Sequence, residues 1–289
     1  MADLNKRLTT NVEGDFFVDA TCINCDTCRQ LAPMTFQEVD EFSAVYHQPH
    51  DELDIFHAYQ ALLACPVGSI GAVTKNTDLR KKAQESFPIE LTGGVYYNGF
   101  NSEKSFGANS YFVTHSQGNW LIDSPRFLRH LVNEFQNLGG IRYIFLSHED
   151  DVADADRYAE KFNATRIIHE ADHEAMPDAE WIVKGNDVVQ ASPVFQLIPV
   201  PGHTAGSLAL LYKEKFLFTG DHLWWDREKE ELGMPSRLVW NAEQLLQSTQ
   251  RLLDFSFEWV LPGHGDRIQL SPERMRRALT KLLASRQKT

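Results

Sequence analysis

Three cysteines spaced Cys22-x-x-Cys25-x-x-Cys28, with a fourth at Cys65 followed at once by Pro66, constrain this chain more than any other feature. A tight loop with that spacing aims three sulfurs at one point, and a fourth from a distant segment completes a set suited to a single cubic [4Fe–4S] cluster. Pro66 stops the preceding helical segment, read over His57–Leu63, and turns the Cys65 sulfur inward. Between the two cysteine groups, Thr35–Val39 and Ser43–Tyr46 read as short strands. A four-thiolate zinc site is the competing reading, but zinc sites usually pair their ligands as two Cys-x-x-Cys knuckles. A purely structural cluster is the other alternative, since a unit this short gains much from a staple. The chain's four cysteines all belong to this set, leaving none for a disulfide, which fits a reducing compartment such as the cytoplasm.

At 289 residues the chain exceeds the usual single-domain size. A ferredoxin-like α+β unit is expected over residues 1–75, a linker over 76–92 where the charged run Asp78–Glu85 leads to Ser86-Phe87-Pro88, and a larger α/β domain over 93–289. The net charge of −12 is uneven: residues 1–80 hold twelve acids against five Lys and Arg. That acidity disfavours nucleic acid and suits docking of a basic electron-donor protein, or serves solubility alone. Apolar runs are too short for a membrane span. After Ser271-Pro272, Met275, Leu279, Leu282 and Leu283 fall at helical spacing in a segment rich in Arg and Lys up to Lys288, predicting an amphipathic helix packed on the body. The cysteine triplet, the Cys65-Pro66-Val67-Gly68-Ser69-Ile70 ending and the acidic composition together resemble the single-cluster bacterial-type ferredoxins, over about residues 13–74.

From Gly93 the pattern becomes short hydrophobic runs alternating with helical ones. Ser110–Thr114 and Trp120–Asp123 read as paired strands; Ser124-Pro125 reads as the start of a helix whose face is Leu128, Leu131, Val132 and Phe135. Then a hydrophobic strand ends four times in a polar, Gly-containing or acidic turn that opens on His or Asp: Ile141–Leu146 before Ser147-His148-Glu149-Asp150, Phe195–Val200 before Pro201-Gly202-His203, Phe216–Thr219 before Gly220-Asp221-His222, and Trp259–Leu261 before Pro262-Gly263-His264. Strand ends on one rim of a sheet converge, and His148, Asp150, His203, Asp221 and His264 form a metal-ligand set. Trp224, Trp225 and Trp240 flank a polar insertion, Asp226–Arg237, suited to a lid or to contact with the cluster unit.

This order of motifs, Leu121-Ile122-Asp123, Ser147-His148, Pro201-Gly202-His203-Thr204-Ala205-Gly206-Ser207, Thr219-Gly220-Asp221 and Pro262-Gly263-His264-Gly265, resembles the metallo-β-lactamase superfamily from about Gly93 to Gln269. The resemblance implies an αββα sandwich, so the whole chain reads as α/β, a ferredoxin-like α+β domain followed by that sandwich. The family's His-x-His-x-Asp-His falls here on His148, Asp150, Val152 and Ala153. A carboxylate replaces the second His, as in iron-binding members, and Val152 and Ala153 ligate nothing. The resemblance thus implies one metal held by His148, Asp150, His203 and Asp221, with His264 beside it as a ligand or proton carrier and Asp221 and His264 nearest the chemistry. Nothing in the sequence positions Asp151 or Asp154 to restore a second site. Two imidazoles and two carboxylates with room for water suit Fe(II), with Zn or Mn as alternatives. The expectation is a redox metalloenzyme in which the cluster passes electrons to that site and a small-molecule substrate. A thioester or lactone hydrolase with a structural cluster, and a non-enzymatic redox sensor, are the alternatives. Assembly as a homo-oligomer is compatible with all three.

Overall fold

Short antiparallel pairings come first in the chain and long buried strands later, and each follows from how many faces a strand must bury. The computed structural model describes residues 2–286. In the first part, Phe16–Val18 pairs with Ile70–Ala72 and Phe36–Val39 with Phe42–Val45, both antiparallel. Helix α1 (Thr27–Leu31) carries Cys28, and helix α2 (Glu52–Ala64) runs directly into Cys65. The α2 start is capped by Asp51, whose carboxylate accepts from the Asp54 N–H at 2.8 Å. Phe16, Val18, Phe36, Val45, Tyr59 and Ile70 make a small core of their own around Cys28 and Cys65.

The stretch 76–92, expected as a linker, is ordered secondary structure. Helix α3 (Thr77–Glu85) is capped by Asn76, and Leu79 and Ala83, one turn apart, are buried. The charged run is therefore the solvated face of a helix packed on α2. Ile89–Thr92 then forms the edge strand of the first large sheet.

That sheet has seven strands in the order Trp181–Val183, Thr165–His169, Tyr143–Phe145, Trp120–Ile122, Tyr111–Val113, Val95–Tyr97 and Ile89–Thr92. The second has six: Val189–Ser192, Phe195–Pro199, Leu208–Tyr212, Phe216–Gly220, Trp259–Pro262 and Ile268–Gln269. Leu208–Tyr212 shows why such runs are hydrophobic throughout. Leu208, Leu210 and Tyr212 join the core shared with the first sheet, while Ala209 and Leu211 join a second core. On the first sheet's outer face lie α4 (Arg129–Asn137), whose Phe135 stacks on Phe112 at 4.7 Å, and α5 (Ala155–Phe162). On the second sheet's outer face lie α6 (Ala242–Arg251) and α7 (Pro272–Arg286). The result is α/β: two sheets face to face with helices outside, preceded by the small α+β unit.

Helix α7 buries Met275, Leu279, Leu282 and Leu283 as its spacing predicts; Lys288 lies outside the described residues. Helix α4 starts later than Ser124-Pro125 suggests. The N–H groups of Arg126 and Phe127 are used by the Phe100 carbonyl and the Asp154 carboxylate, at 3.0 and 2.8 Å, so the chain stays extended to Leu128. No helix among the described residues is long and apolar enough to cross a membrane.

Candidate metal centres

The four cysteines meet around one small pocket, lined also by Val18, Ile23, Val67 and Ile70. Cys28 and Cys65 are buried, Cys22 and Cys25 half-buried. Burial pushes the Cys25 thiol up to about 12 and the Cys28 thiol higher still, so as free thiols they stay protonated. Four sulfurs gathered at one point, with burial disfavouring a lone thiolate at Cys25 and Cys28, fit a positively charged metal group. Polar groups approach the sulfurs as well: the Asn24 N–H donates to Cys22 Sγ at 3.4 Å, Thr27 Oγ1 is 3.5 Å from Cys25 Sγ, and Ser69 Oγ is 3.4 Å from Cys65 Sγ. Arg29, which reaches Ser43 Oγ at 2.7 Å, anchors the group beside Cys28.

At the C-terminal rim of the two large sheets, four strand ends bring His148, Asp150, His203, Asp221 and His264 together. Asp221 Oδ2 lies 3.9 Å from His148 Nε2, 3.8 Å from His203 Nε2 and 3.9 Å from His264 Nε2. Asp150 Oδ2 lies 3.6 Å from His148 Nε2 and 3.4 Å from His203 Nε2. The separations of 3.6–3.9 Å are too long for hydrogen bonds, and the His203–Asp150 contact at 3.4 Å is at most a weak one. They approach the edge, about 3.4 Å, of a tetrahedron of donors at 2.0–2.1 Å from a common ion. His148 Nε2, both His203 ring nitrogens and Asp221 Oδ1 are buried without a partner. Orphaned polar atoms cost free energy unless something occupies the space between them. Ligand atoms of His148, His203 and Asp221 all lie within 4.8 Å of one another, so this trio fits a metal ion, with Asp150 and His264 at its edge.

The three imidazoles are held differently. Burial pushes the His148 pKa down, favouring the neutral ring, and Ser147 Oγ at 2.9 Å engages Nδ1 so that Nε2 faces the centre. Burial opposes charge on His203, but the adjacent Asp150 and Asp221 outweigh it and raise its pKa. The His203 ring holds Asp150 below the usual carboxylate range. His264 is the more open member, 31% exposed, against 1% for His148.

Several supporting residues are not apparent from the sequence. Asp172 accepts from Thr204 Oγ1 at 2.6 Å, the Gly206 N–H at 2.8 Å and the Glu149 N–H at 3.1 Å, tying the His203 turn to the His148 turn. Asp154 is outside the centre: it pairs with Lys104 at 2.8 Å. Asp151 is inside it, 1% exposed, 3.8 Å from His148 Nδ1, with both oxygens unpartnered. Burial raises its pKa well above the usual range, with Asp221 and Asp123 adding to the effect. Its inward aim comes from the single 3-10 turn Glu149–Asp151, which sequence patterning does not announce. Val152 packs against the hydrophobic core and ligates nothing.

The two centres belong to one chain, and the loop of residues 98–110 packs against the cluster unit. A Cβ on Gly107, in the loop before Tyr111–Val113, would stand 2.6 Å from Cys25 Cβ. The Asn101 N–H donates to the Ala64 carbonyl at 3.1 Å, and Arg126 reaches the Leu63 carbonyl at 2.8 Å. The Asp226–Arg237 insertion opens as a hairpin, Trp224–Asp226 against Glu231–Gly233, and contacts the cluster unit through Arg227 Nη1 to the Arg29 carbonyl at 2.9 Å.

Residues 18–72 match the 4Fe-4S single cluster domain of Ferredoxin I, and residues 94–283 match the metallo-beta-lactamase superfamily. YobT, an uncharacterized protein of Bacillus subtilis (strain 168), is 26% identical over 211 residues, 61% of this chain and 91% of that one. Among solved structures, TMB-1 aligns with TM-score 0.54 at 18% identity, covering 68% of this chain and 96% of its own. The DIM-1 metallo-beta-lactamase exposed to ceftazidime aligns at 0.52 and 18%, covering 68% and 95%. A metallo-beta-lactamase family protein of Thermus thermophilus aligns at 0.51 and 17%, covering 69% and 81%. At such identities the likeness is one of fold. With the superfamily match spanning more than half of its length, the chain belongs to the metallo-β-lactamase superfamily, and a 4Fe-4S ferredoxin-like domain precedes that fold.

Proposed function

We propose that this protein is a redox metalloenzyme in which electrons enter at the Cys22/Cys25/Cys28/Cys65 cluster and are used at a mononuclear iron site held by His148, Asp150, His203 and Asp221. One observation carries the reading: Cys25 packs on Gly107, and the loop of Gly107 is joined in turn to the His264 turn by the Asn109 N–H donating to the Gly263 carbonyl at 2.6 Å. An acidic residue of the cluster loop, Asp26, is near enough to His264 for the two charges to interact. A merely structural cluster has no need of that proximity. Bound iron would supply one-electron chemistry and a position for a small substrate. The chain's own residues do the rest. Ser147 fixes the His148 tautomer, Asp172 holds the two histidine turns together, and His264, open to solvent, is placed to carry a proton between Asp221 and a bound substrate. The twelve acids in residues 1–80 suit a basic electron-donor protein, in a cytoplasmic setting where thiols stay reduced.

The test is anaerobic purification followed by iron, zinc, manganese and sulfide analysis of wild type and Asp150→Ala. Sulfide-matched iron in both, with further iron in the wild type that Asp150→Ala loses, supports the reading; zinc alone in the second centre opposes it. Hydrolysis of thioesters or lactones is the second reading, favoured by the unpartnered carboxylates of Asp151 and Asp221 beside His148. Metal-dependent turnover of such esters that a His203→Ala variant lacks, indifferent to cluster reduction, would establish it instead. A sensor without catalysis is indicated if the second centre binds no metal at all.

A further inference from the structure

We propose that Thr27, Asn101 and Asn109 form the route by which an electron passes from Cys25 to the loop carrying His264; this rests on the redox reading above. Thr27 Oγ1 is 3.5 Å from Cys25 Sγ and accepts from Asn101 Nδ2 at 3.0 Å. The same Nδ2 reaches Asn109 Oδ1 at 3.3 Å and the Gly107 carbonyl at 2.7 Å. Tyr97 donates its hydroxyl to Asn101 Oδ1 at 2.8 Å, which fixes the orientation of the amide. Asn109 then closes the path: its Nδ2 reaches the Pro262 carbonyl at 3.3 Å, and its backbone N–H donates to the Gly263 carbonyl at 2.6 Å. The residue after Gly263 is His264, whose Nε2 stands 3.9 Å from Asp221 Oδ2.

Exposure along the route is 1% at Thr27, 0% at Asn101 and 1% at Asn109. Burying one hydroxyl and two amides between two apolar cores costs free energy that aliphatic side chains of the same shape would not incur. What they add is a line of polar contacts, hydrogen-bonded from Thr27 through Asn101 and Asn109 to the Pro262 and Gly263 carbonyls, where aliphatic packing would leave van der Waals gaps, and electron tunnelling falls off faster across gaps than across bonded contacts. With a cluster held by the four cysteines and iron by His148, Asp150, His203 and Asp221, the step would take one electron from the reduced cluster, returning it to its oxidised level, and would reduce ferric iron to ferrous. No bond forms or breaks and no proton travels the bridge. A one-electron donor outside the chain restores the cluster, a photoreduced flavin in the test below.

The experiment uses full-length protein loaded with cluster and ferric iron. The cluster is reduced by a flash, and its re-oxidation is followed by absorbance in wild type, Thr27→Val and Asn109→Leu. Thr27→Val keeps the side chain's shape and removes only the hydroxyl, so it decides the matter where Asn109→Leu does not fold. Two controls separate a route from a docking contact. One is the cluster's midpoint potential, because a tenfold change in a one-electron equilibrium corresponds to 59 mV. The other is the magnetic interaction between the reduced cluster and Mn(II) bound in the second centre, which reports their separation. The expected result is re-oxidation slowed about tenfold or more in both variants, with the potential shifted far less than 59 mV and the magnetic interaction unchanged. Wild-type rates in the variants overturn the route while leaving the redox reading intact. Slowing accompanied by a lost magnetic interaction assigns the bridge to domain docking and overturns the route too. No transfer in the wild type defeats the redox reading itself.

Discussion

Gly263 offers the sharpest perturbation of the second centre, because it is the backbone against which two carboxylates rest. A Cβ there would stand 2.5 Å from Asp221 Oδ1, 3.0 Å from Asp151 Oδ2 and 3.3 Å from the Gly220 carbonyl carbon. Its φ lies outside the left-handed region, so Gly263→Ala meets crowding rather than backbone strain. Restoring ordinary contact requires Asp221 Oδ1 to retreat by about 1 Å. Asp221 Oδ2 stands 3.8–3.9 Å from three imidazole nitrogens, so that retreat tilts the carboxylate shared by all three. Misplacing groups that orient a ligand typically costs 10–100-fold in metal affinity, about 1.4–2.7 kcal/mol. The global cost of overpacking is about 1–3 kcal/mol, which a domain of this size tolerates. Chelator competition with Zn(II) and Mn(II), on protein whose cluster content is matched to wild type, measures the affinity, and urea unfolding measures the fold. The expectation is a dissociation constant raised 10–100-fold with a folded protein. Unchanged affinity would show that Asp221 does not ligate through the geometry described, and the one-centre argument would fall with it.

Two further outcomes follow from burial. In the cluster-free protein the Cys25 thiol, pushed up to about 12, leaves only about one molecule in ten thousand as thiolate near pH 8, against roughly a quarter for an ordinary cysteine. Burial disfavours the charged form, so iodoacetamide labelling of Cys25, read by peptide mass spectrometry, is roughly a thousandfold slow there and rises about tenfold per pH unit up to about pH 12. Phe135→Ala removes a 0%-exposed ring stacked on Phe112 and should lower stability by about 3–5 kcal/mol in urea unfolding without changing cluster content; a loss under about 1 kcal/mol would contradict the packing.

What the sequence makes legible is whatever is decided within a few residues. The cysteine triplet is set by one loop, so its convergence with Cys65 follows from spacing and a proline. The four strand-to-turn motifs are equally local, and their His and Asp residues meet because parallel and antiparallel strands of one fold end on one rim. What fails to show is what distant segments decide. The charged run Asp78–Glu85 looks like a linker until α2 is present to bury Leu79 and Ala83. Helix α4 starts late because Phe100 and Asp154, far away in sequence, capture the N–H groups of Arg126 and Phe127. The join between the cluster unit and the larger domain rests on Gly107 meeting Cys25, residues far apart in the chain, and on an asparagine bridge that no motif announces.

Asp151 bears most directly on what kind of metal chemistry the second centre favours. Asp150 and Asp221 alone balance a divalent ion. A third carboxylate within reach, buried and unpartnered beside His148, makes the surroundings one charge more negative whenever it is ionised. Negative charge stabilises the higher-valent state of a bound metal and lowers its reduction potential. Taking roughly 7 Å between that charge and the ion and an effective dielectric constant of about 20, the interaction is on the order of 2 kcal/mol, or about 100 mV for one electron. In the redox reading proposed above, an iron centre carrying that charge would be harder to reduce and would call for a low-potential donor. Burial favours the protonated acid in the metal-free protein, and a bound cation pulls Asp151 back toward its ionised form. Asp151→Asn keeps the shape and removes that charge, so it should raise the midpoint potential of iron in the second centre by about 100 mV in an EPR-monitored titration while leaving the cluster's potential in place. A lowered or unmoved potential would mean that Asp151 is protonated in the metal-loaded protein and acts there as a hydrogen-bond donor to its neighbours, and the electrostatic link between the two centres would lose this support.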